Sequence, residues 1–410
     1  MANVLVIGSG AREHAIAATM LKSPQVTTVY CAPGNPGMKK DQIQIVDIDE
    51  MDFPKLVEFA KEHLIDLTFV GPEVPLSKGI VDAFIAARLR VFGPDESAAR
   101  LESDKNFAKG FMQRNNIPTA KFKTFTDFSA AKHYADELSL PLVVKENGLA
   151  AGKGVTIVKD ADDLEPTIKT ALDKSGEILI EEFLEGEEFS LMLFVGGDKK
   201  VVFPISQDHK KIDEGETGPN TGGMGAYSPV PHITQEVLDP TIHEIVDPTM
   251  AGLAKEDLEF AGIIYVGCML TKQGPKVIEY NLRLGDPETQ VLLPQLESDF
   301  YQMTSDLIDR KLPDIKWQQG DFYLGVVVAA PGYPTSPKQH IALPADLPGN
   351  IFYAGVTEED GKLYSSGGRI FTLYNHASTL ECAQAKVYAE LSRLDLHEFY
   401  YRKDIGFRDL

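Results

Sequence analysis

Two oxygen-bearing side chains are spaced for a cation site on one apolar segment. Glu279 and Asn281 stand two residues apart in a run with the composition of a strand, so both should point to one face and Tyr280 to the other. Magnesium takes oxygen ligands, usually one or two from the protein, and completes its octahedron with phosphate oxygens and water. Because Arg283 and Asp286 follow in the same segment, we interpret the segment as functional rather than as surface decoration.

A lysine followed by a glycine-rich loop is a second candidate site. Lys145 ends an apolar run, and the loop after it carries Gly148, Gly152, Lys153 and Gly154. Backbone N–H groups of such a loop can surround a polyphosphate, with a lysine as a point charge. A P-loop has Ser or Thr directly after its lysine, whereas this chain has glycine there. We therefore predict a phosphate-binding loop of another kind.

A glycine turn also lies near the N-terminus, where Gly8, Ser9 and Gly10 separate an apolar run from a helical pattern. The dinucleotide-binding fingerprint would need a third glycine where Glu13 stands, which argues against an NAD site. A glycine turn at a helix N-terminus can hold a single phosphate, or it can serve only as a tight connection. The motif alone supports both interpretations equally.

Two further segments are candidates for binding a small substrate. Glu73 follows a predicted strand at its carboxyl end, where ligands of open α/β sheets bind; its position alone favours a simple turn, and it becomes a candidate only together with Gly8 to Gly10. A long glycine-rich loop over residues 217–226 is preceded by Asp208, and long loops inside compact domains are often functional. The loop residues that we assign to the substrate are Gly222, Gly223, Met224 and Gly225.

An acidic cluster closes the predicted strand 178–182. Glu181 and Glu182 are followed by Phe183 and Leu184, and then by Glu187 and Glu188. Such a run is usually an exposed, solvated face. The alternative is that the strand end meets an adenine edge through its backbone while a carboxylate accepts from the ribose hydroxyls. The sequence leaves both open.

The elements that must position these residues divide the chain into four parts. Residues 1–104 alternate apolar runs with helical patterns, including a helix over 77–87, and predict a doubly wound parallel α/β domain. Residues 105–188 predict a small α+β lid with a preceding helix. Residues 189–321, with a strand over 201–205, predict a mixed central domain, and residues 322–410 a strand-rich unit ending in a helix. The fold class is α/β and α+β, multidomain.

Composition excludes some classes of function. The 410 residues carry 40 basic and 61 acidic side chains, a net charge of −21 that disfavours nucleic-acid binding. The three cysteines, Cys31, Cys268 and Cys382, are too far apart for a CxxC metal site and fit a reducing cytoplasm. No run approaches the roughly 18 apolar residues of a membrane span. We expect a cytoplasmic protein with no nucleic-acid or membrane partner.

Together these motifs resemble the ATP-grasp superfamily and, within it, the glycinamide ribonucleotide synthetases. The most specific motif is Arg283-x-Gly285-Asp286-Pro287-Glu288-x-Gln290. The others are Gly8-Ser9-Gly10-Ala11-Arg12-Glu13-His14-Ala15, Gly71-Pro72-Glu73, Gly152-Lys153-Gly154-Val155, Asn220-Thr221-Gly222-Gly223-Met224-Gly225 and Tyr401-Arg402-Lys403-Asp404-Ile405-Gly406. Ala11 and Leu284 depart from the family pattern, which usually has Gly and Phe there. Both are small or apolar replacements that leave the chemistry intact.

The resemblance implies an N-terminal α/β domain, a lid, a central ATP-grasp domain and a small C-terminal domain. It implies ATP and Mg²⁺, or Mn²⁺, with Glu279 and Asn281 as the metal ligands. The implied residues for the ATP phosphates are Lys105, Lys145, Gly148, Gly152, Lys153 and Gly154; for adenine, Glu181, Glu182, Phe183 and Leu184; for ribose, Glu188 or, failing that, Glu187. Phosphoribosylamine would meet Gly8, Ser9, Gly10 and Glu73. Glycine and the moving phosphoryl group would meet Asp208, Gly222, Gly223, Met224, Gly225 and Arg283, with Arg283, Lys145 and Asp286 as catalytic residues.

The implied reaction joins glycine to 5-phosphoribosylamine through glycyl phosphate, in a monomer or weak homodimer. No protein nucleophile is needed, because positioning and placed cations supply the catalysis. A carboxylase or a formate-using transformylase of the same superfamily is the nearest alternative, and would lack the Arg283 to Gln290 motif. A nucleotide-binding regulator is the alternative from another class, and would release no ADP when both co-substrates are supplied.

Overall fold

The computed structural model describes residues 1–149 and 154–410, so the predictions for Gly152 and Lys153 lie outside the described residues. The strands of the described part are β1 (Ala2–Gly8), β2 (Val26–Pro33), β3 (Gln44–Ile45), β4 (Ile65–Val70), β5 (Val91–Phe92), β6 (Phe122–Phe125), β7 (Leu142–Glu146), β8 (Val155–Val158), β9 (Ile178–Glu182), β10 (Glu187–Gly196), β11 (Lys199–Val202), β12 (Gln207–Asp208), β13 (Lys211–Asp213), β14 (Thr217–Asn220), β15 (Gly225–Ser228), β16 (Ala261–Thr271), β17 (Gly274–Asn281), β18 (Phe322–Ala329), β19 (Ile351–Tyr353), β20 (Val356–Glu359), β21 (Lys362–Ser365) and β22 (Arg369–Ala377).

The α-helices of the same residues are α1 (Ala11–Met20), α2 (Phe53–Glu62), α3 (Glu73–Leu76), α4 (Ile80–Ala86), α5 (Glu96–Ser103), α6 (Lys105–Arg114), α7 (Phe128–Glu137), α8 (Ala161–Ser175), α9 (Gln235–Thr241), α10 (Asp247–Lys255), α11 (Thr289–Leu292), α12 (Phe300–Ile308) and α13 (Leu380–Leu391). A π-helical turn, Ile242–Val246, joins α9 to α10. Short 3₁₀ turns lie at Pro36–Asp41, Leu293–Gln295 and Phe407–Asp409.

The N-terminal sheet is parallel throughout, in the order β3-β2-β1-β4-β5, which confirms the predicted doubly wound domain. Strand β1 is buried on both faces. Val4 and Val6 pack in one apolar cluster with α1, while Leu5 and Ile7 pack in another with α2 and α4. Two covered faces explain why β1 reads as a continuous apolar run rather than as an alternating one.

Two antiparallel sheets follow along the chain. The first has the order β6-β9-β7-β8, and α7 and α8 cover one of its faces. The second has the order β11-β10-β16-β17, and it packs against the N-terminal sheet through an aromatic cluster. In that cluster the ring centroids of Phe69 and Phe300 lie 5.8 Å apart and those of Phe194 and Phe300 5.9 Å apart. This contact fixes the two sheets relative to each other.

The C-terminal sheet is antiparallel, in the order β12-β15-β18-β22-β19, and helix α13 packs on it. Strands β12 and β15 come from the middle of the chain, so the middle and the end of the chain share one sheet. The ribbons β13-β14 and β20-β21 complete the strand pairings. Among the described helices, none combines the length and the hydropathy that crossing a membrane would require.

Three predicted elements differ from the structure. The helix predicted over 77–87 begins only at Ile80, as α4, because Gly79 directly before it takes a left-handed conformation with φ of 81°. The strand predicted over 201–205 ends at Val202, since Pro204 has no N–H to donate to a ladder. The C-terminal helix ends at Leu391, and the following residues fold back as an irregular tail with one 3₁₀ turn.

Candidate active site

A cavity of about 490 Å³ lies where the four sheets meet. It is lined by α3 after the N-terminal sheet, by β7, by β17 and by Arg369 of β22. Among the described residues that line it, nine side chains are basic: Arg12, Lys105, Lys109, Lys145, Lys210, Lys211, Arg283, Arg369 and Arg408. Nine are acidic: Glu73, Glu102, Glu181, Glu188, Asp208, Glu216, Glu279, Asp286 and Glu288. The whole chain has more acidic than basic side chains, with a net charge of −21. Equal numbers of the two in the cavity lining therefore mean that cations are concentrated there, which suits an anionic ligand.

Lys105, Lys145 and Gly148 lie together at one end of the cavity. Lys105 opens α6 and donates from Nζ to the Gly148 carbonyl at 2.6 Å, and its backbone N–H donates to Asn147 Oδ1 at 2.8 Å. Burial lowers the pKa of Lys105, partly offset by the charge of Glu279. Lys145 is buried on β7 and donates to the Ile278 carbonyl at 3.3 Å. The structure thus brings two predicted phosphate ligands and the first loop glycine to one place, with Gly154 also in the lining.

Glu181 connects Lys145 to a second lysine that the sequence analysis did not single out. Its Oε2 lies 3.0 Å from Lys145 Nζ and its Oε1 3.2 Å from Lys109 Nζ. Lys109 also donates to Thr119 Oγ1 at 2.7 Å, and burial lowers its pKa to about 8. The Glu181 carboxylate is therefore engaged by cations of the cavity wall, and it remains buried beneath them.

The other members of the acidic cluster divide between two faces. Glu188 lines the cavity with its Oε2 3.5 Å from Lys210 Nζ. Glu187, its neighbour on β10, points the other way and lies 3.1 Å from His232 Nε2. Glu182 accepts from the Lys121 N–H at 3.0 Å. Of the two predicted ribose ligands the structure brings only Glu188 into the cavity, and Glu182, Phe183 and Leu184 are outside its lining.

Glu279 and Asn281 both line the cavity, as their spacing on β17 predicts. Burial raises the pKa of Glu279, but the charges of Lys210, Lys145, Lys105 and Arg283 outweigh it and lower the pKa overall. Within the described part of the chain Glu279 forms no ion pair with these cations, because Lys145 pairs with Glu181 and Lys210 with Glu188. Its carboxylate oxygens thus face the cavity without a cationic partner in contact.

These two residues fit a magnesium ion held mainly by its substrate. Among the described residues no three His, Cys, Asp or Glu side chains gather as a preformed metal cage. One carboxylate and one amide oxygen are the donors that magnesium uses when phosphate oxygens and water complete its shell. The Asn281 Oδ1 accepts from Arg283 NH2 at 3.2 Å, which orients the amide oxygen beside Glu279.

Arg283 is held by carboxylates from two helices of the N-terminal part. Its Nε lies 3.4 Å from Glu73 Oε2 and its NH2 3.2 Å from Glu102 Oε1. Burial raises the pKa of Glu73, yet Arg283 and Arg12 outweigh burial and lower that pKa to about 2. For Glu102 the effect of burial is larger than that of the Arg283 charge, so the pKa of Glu102 rises to about 7. Glu73 and Arg283, which were predicted in separate substrate sets, are therefore direct neighbours.

Asp286 lies against Arg369 of the C-terminal sheet. Its Oδ2 is 2.9 Å from Arg369 NH2, and Arg369 NH1 also donates to the Asp286 carbonyl at 2.9 Å and to the Gly222 carbonyl at 2.6 Å. Gly223 has φ of 112°, and a side chain there would collide with Pro287. This glycine-rich loop thus packs directly on the Asp286 turn.

Met224 and Gly225 lie behind that loop. The Met224 side chain is fully buried in the main apolar core, and a β-carbon at Gly225 would meet the Gly325 carbonyl at 2.6 Å. Of the four loop residues that were predicted to meet substrate, only Gly222 lines the cavity. Gly223, Met224 and Gly225 support it from outside.

Asp208 lines the cavity at the end of β12. Burial raises its pKa to about 7, although Lys210 opposes the shift. Lys210, two residues further, has a raised pKa because the charge of Asp208 outweighs its own burial. Nearby, Glu288 accepts from the Tyr265 hydroxyl at 2.7 Å. These groups place a cation and two buried carboxyl groups next to Glu279.

The glycine turn at the N-terminus is capped from within the chain. Gly10 N–H donates to Glu13 Oε2 at 2.8 Å, and the Glu13 side chain fills the space where a β-carbon at Gly8 would lie. Gly8, Ser9 and Gly10 are not part of the cavity lining. The turn instead approaches its edge, since a β-carbon at Gly10 would lie 3.6 Å from Asp286 Oδ2.

The sequence alone did not identify several of the residues that line the cavity. Arg12 and Glu288 stand inside quoted motifs, but their types alone suggested no partner. Lys109 offered a signal, because it stands beside Ala108 and one turn from Met112 on the buried face of α6. A lysine on such a face needs a partner. The other lining cations and carboxylates that were missed are Glu102, Lys210, Lys211, Glu216, Arg369 and Arg408.

Comparisons with known proteins agree along the whole chain. Family models of phosphoribosylglycinamide synthetase match residues 2–102 as its N domain, 103–289 as its ATP-grasp (A) domain and 323–408 as its C domain. The phosphoribosylamine–glycine ligase of Lactococcus lactis is 48% identical over 408 residues, which cover 99% of each chain. That of Listeria innocua is 47% identical over 419 residues, 98% of this chain and 99% of its own.

Solved structures show the same fold. The phosphoribosylamine–glycine ligase of Thermotoga maritima superposes with a TM-score of 0.86 at 32% identity, over 98% of this chain and 100% of that one. The biotin carboxylase domain of Hydrogenobacter thermophilus 2-oxoglutarate carboxylase, solved with magnesium ADP and bicarbonate, shares the fold alone, with a TM-score of 0.74 at 15% identity over 97% and 91% of the two chains. With all three domain models matched and nearly half of its residues shared with full-length relatives, the chain belongs to the phosphoribosylglycinamide synthetase family of ATP-grasp enzymes.

Proposed function

We propose that this protein ligates glycine to 5-phosphoribosylamine with ATP, giving glycinamide ribonucleotide, ADP and phosphate in purine biosynthesis. Membership of the family makes it an ATP-dependent carbon–nitrogen ligase. The observation that carries the proposal in this chain is the meeting of Lys105, Lys145, Glu279 and Arg283 around one cavity. The first three come from α6, β7 and β17, and Arg283 lies in the loop after β17, so only the assembled fold creates the constellation.

The nucleotide would lie along the wall made by α6, β7 and β10. Lys105 and Lys145 support binding of the phosphates, because both ammonium groups face the same space as Glu279. Gly148 and Gly154 flank the loop that would cover the phosphates, together with Gly152 and Lys153. Glu188 supports a ribose contact, since it lines the cavity whereas Glu187 does not.

Glu279 and Asn281 would hold Mg²⁺ or Mn²⁺ through one carboxylate and one amide oxygen. When bound, the ion would neutralise charge on the phosphate oxygens. The residues of this chain would do the rest: Lys105 and Lys145 would orient the phosphates, Arg283 would keep the Asn281 amide in place, and Lys210 would add a further positive charge that acts on Glu279. The electrostatics thus converge on one point of the cavity.

The reaction would proceed in two displacements. A glycine carboxylate oxygen bonds to the γ-phosphorus while the bond to the β,γ-bridging oxygen breaks, releasing ADP and leaving glycyl phosphate. The amino nitrogen of phosphoribosylamine then attacks the acyl carbon, loses a proton, and phosphate departs. Arg283 and Lys145 would stabilise the charge that develops on the phosphoryl oxygens.

Asp286 would hold the amine substrates against the loop of Gly222, and Asp208 would border the glycine site. Phosphoribosylamine would enter from the side of Glu73 and the turn of Gly8, Ser9 and Gly10. Because Glu13 already accepts the Gly10 N–H, the partly exposed Glu73 carboxylate is the better supported contact of this set. A ribose hydroxyl would be its natural donor.

The molecule would be divided into domains at residues 1–104, 105–188, 189–321 and 322–410. A reducing cytoplasm suits the three free cysteines, Cys31, Cys268 and Cys382. A monomer or weak homodimer remains our proposal for the assembly.

The deciding experiment measures ADP release by the purified protein with ATP, magnesium and phosphoribosylamine generated in place, with and without glycine. We expect release that depends on glycine. ADP release that does not depend on glycine would mean that the enzyme uses another acid substrate, as a carboxylase does. Nucleotide binding without any ADP release would indicate a regulator.

A further inference from the structure

Glu102 closes helix α5 beneath the active site, and both of its carboxylate oxygens are engaged by the segment that follows β17. Leu282 N–H donates to Oε2 at 2.7 Å, and Arg283 NH2 lies 3.2 Å from Oε1. The Glu102 side chain is only 8% exposed. One carboxylate thus holds both the backbone and the side chain directly after the Asn281 ligand.

Arg283 is stretched between three elements by these contacts. Its NH2 group also donates to Asn281 Oδ1, and its Nε faces Glu73 at 3.4 Å. Without the charge of Glu102, the ion pair with Glu73 would dominate and would draw the guanidinium toward α3. The Asn281 amide would then lose the donor that orients its oxygen.

We propose that Glu102 is a positioning residue, which holds Arg283 between the cation ligand Asn281 and the substrate side of the cavity. This inference rests on the proposed function, in which Arg283 meets the transferring phosphoryl group. Glu102 need not touch substrate, because it acts through Arg283.

A purely stabilising role explains the arrangement less well. Burial raises the pKa of Glu102 to about 7 even though Arg283 is in contact. Its surroundings therefore favour the charged carboxylate less than water does, and a buried ion pair of this kind adds little or nothing to stability. Its geometric effect on Arg283 is then the more important one.

The test compares Glu102→Gln with Glu96→Gln, which changes an exposed carboxylate on the same helix. Glutamine at 102 keeps an oxygen for the Leu282 N–H but removes the charge that faces Arg283. We expect kcat for glycine-dependent ADP release to fall roughly 10- to 100-fold, the size of effect that small misplacements produce. The KM for ATP should match that of Glu96→Gln, whereas the melting temperature should be lower, because Arg283 loses a buried partner, so kcat is compared below both melting temperatures.

A double-mutant cycle with Arg283→Lys shows whether Glu102 acts through Arg283. If it does, adding Glu102→Gln to Arg283→Lys lowers kcat less than twofold further, because the two residues work as one unit. Additive losses would overturn the proposal, as would equal kcat values for Glu102→Gln and Glu96→Gln in an active enzyme. A wild-type protein without glycine-dependent release would instead contradict the proposed function, and this role of Glu102 with it.

Discussion

The carboxylate of Glu279 is a candidate metal ligand because no ion pair in the described residues occupies it. Four cations lower its pKa without forming an ion pair with it in the described residues. We expect Glu279→Gln to lower kcat roughly 10²- to 10³-fold, because the amide keeps the shape but loses the charge that would hold the divalent ion. Glycine-dependent ADP release measures the effect, and circular dichroism should show an unchanged fold.

The control for this change is Glu236→Gln, which alters an exposed carboxylate in the first turn of α9. Its kcat should stay within twofold of the wild-type value. Near-normal turnover in Glu279→Gln would remove Glu279 from the metal site.

Glu181 leads to a different prediction, because its partners are buried. Glu181→Leu would leave the ammonium groups of Lys109 and Lys145 without their shared carboxylate in a desolvated wall. Removing one partner of such a buried pair costs about 3–5 kcal/mol, so the free energy of unfolding should fall by that amount. Urea denaturation measures it. A variant of normal stability with only a raised KM for ATP would instead support the adenine contact that the sequence suggested.

The orientation of single side chains was predictable where it depends on the residue pattern of one strand alone. Glu279 and Asn281 share a face because strand side chains alternate, and the structure places both in the cavity. The partners of Glu181 were not predictable in this way, since Lys109 reaches it from helix α6. Chain alternation fixes where a side chain points, but tertiary packing decides what it meets.

At the scale of elements, the irregular tail after α13 packs against the segment that follows β12 and holds it in place. Arg402 is fully buried and pairs through Nε and NH2 with both oxygens of Asp404, each at 2.8 Å. Its NH1 reaches Glu216 at 2.6 Å and the Lys211 carbonyl at 3.0 Å. The Gly406 N–H donates to the buried His209 Nε2 at 3.2 Å. The tail thereby fixes the strand that carries Asp208.

This contact predicts a pH dependence of stability. Burial and the charge of Arg402 lower the pKa of His209 from 6.5 to about 3. Between pH 6.5 and about pH 3, the His209 imidazole binds a proton in the unfolded chain but not in the folded chain. The free energy of unfolding therefore falls as the pH decreases through this window. In His209→Gln, whose amide oxygen can still accept from Gly406, the dependence should be flatter by up to about 1.4 kcal/mol per pH unit.

Urea denaturation at pH 4 to 7 measures that slope. The matched control, His133→Gln, replaces an exposed histidine and should keep the slope of the wild type. Equal slopes for His209→Gln and the wild type would show that His209 is not a buried neutral group.

Most elements were predictable from short-range signals, and the exceptions have local causes. Helix α5 begins after Asp95 and α6 after Asp104, and both aspartates cap the helix with their side chains. The break between α3 and α4 depends on a left-handed Gly79, which looks in sequence like a tolerated glycine within a helix. The tail is irregular because its contacts are with a distant loop, and no periodic pattern records such contacts.

At the scale of the whole molecule, the cavity exists only because distant parts of the chain meet. Helices α3 and α5 of the N-terminal part supply Glu73 and Glu102, the strand β17 supplies Glu279, and the C-terminal sheet supplies Arg369. The sequence predicted the parallel N-terminal sheet, because it follows from local patterns. It did not predict that Arg369 reaches the Asp286 turn, since 83 residues separate the two along the chain.

Arg369 allows a test of whether the C-terminal sheet contributes to the chemistry. Its guanidinium binds the Asp286 carboxylate and the carbonyls of Gly222 and Asp286, and so joins the glycine-rich loop to the Arg283 to Gln290 motif. In Arg369→Leu these three groups lose their common donor, and kcat/KM for glycine should fall roughly 10- to 100-fold. The melting temperature should also fall, because the side chain is only 21% exposed and its acceptors lose their donor, so kcat/KM is measured below both melting temperatures. Arg393→Leu, at an exposed arginine of the same part of the chain, should leave kcat/KM within twofold of the wild type. Equal values for the two variants would mean that the C-terminal sheet only covers the site, whereas a loss confined to Arg369→Leu would mean that this sheet helps to shape it.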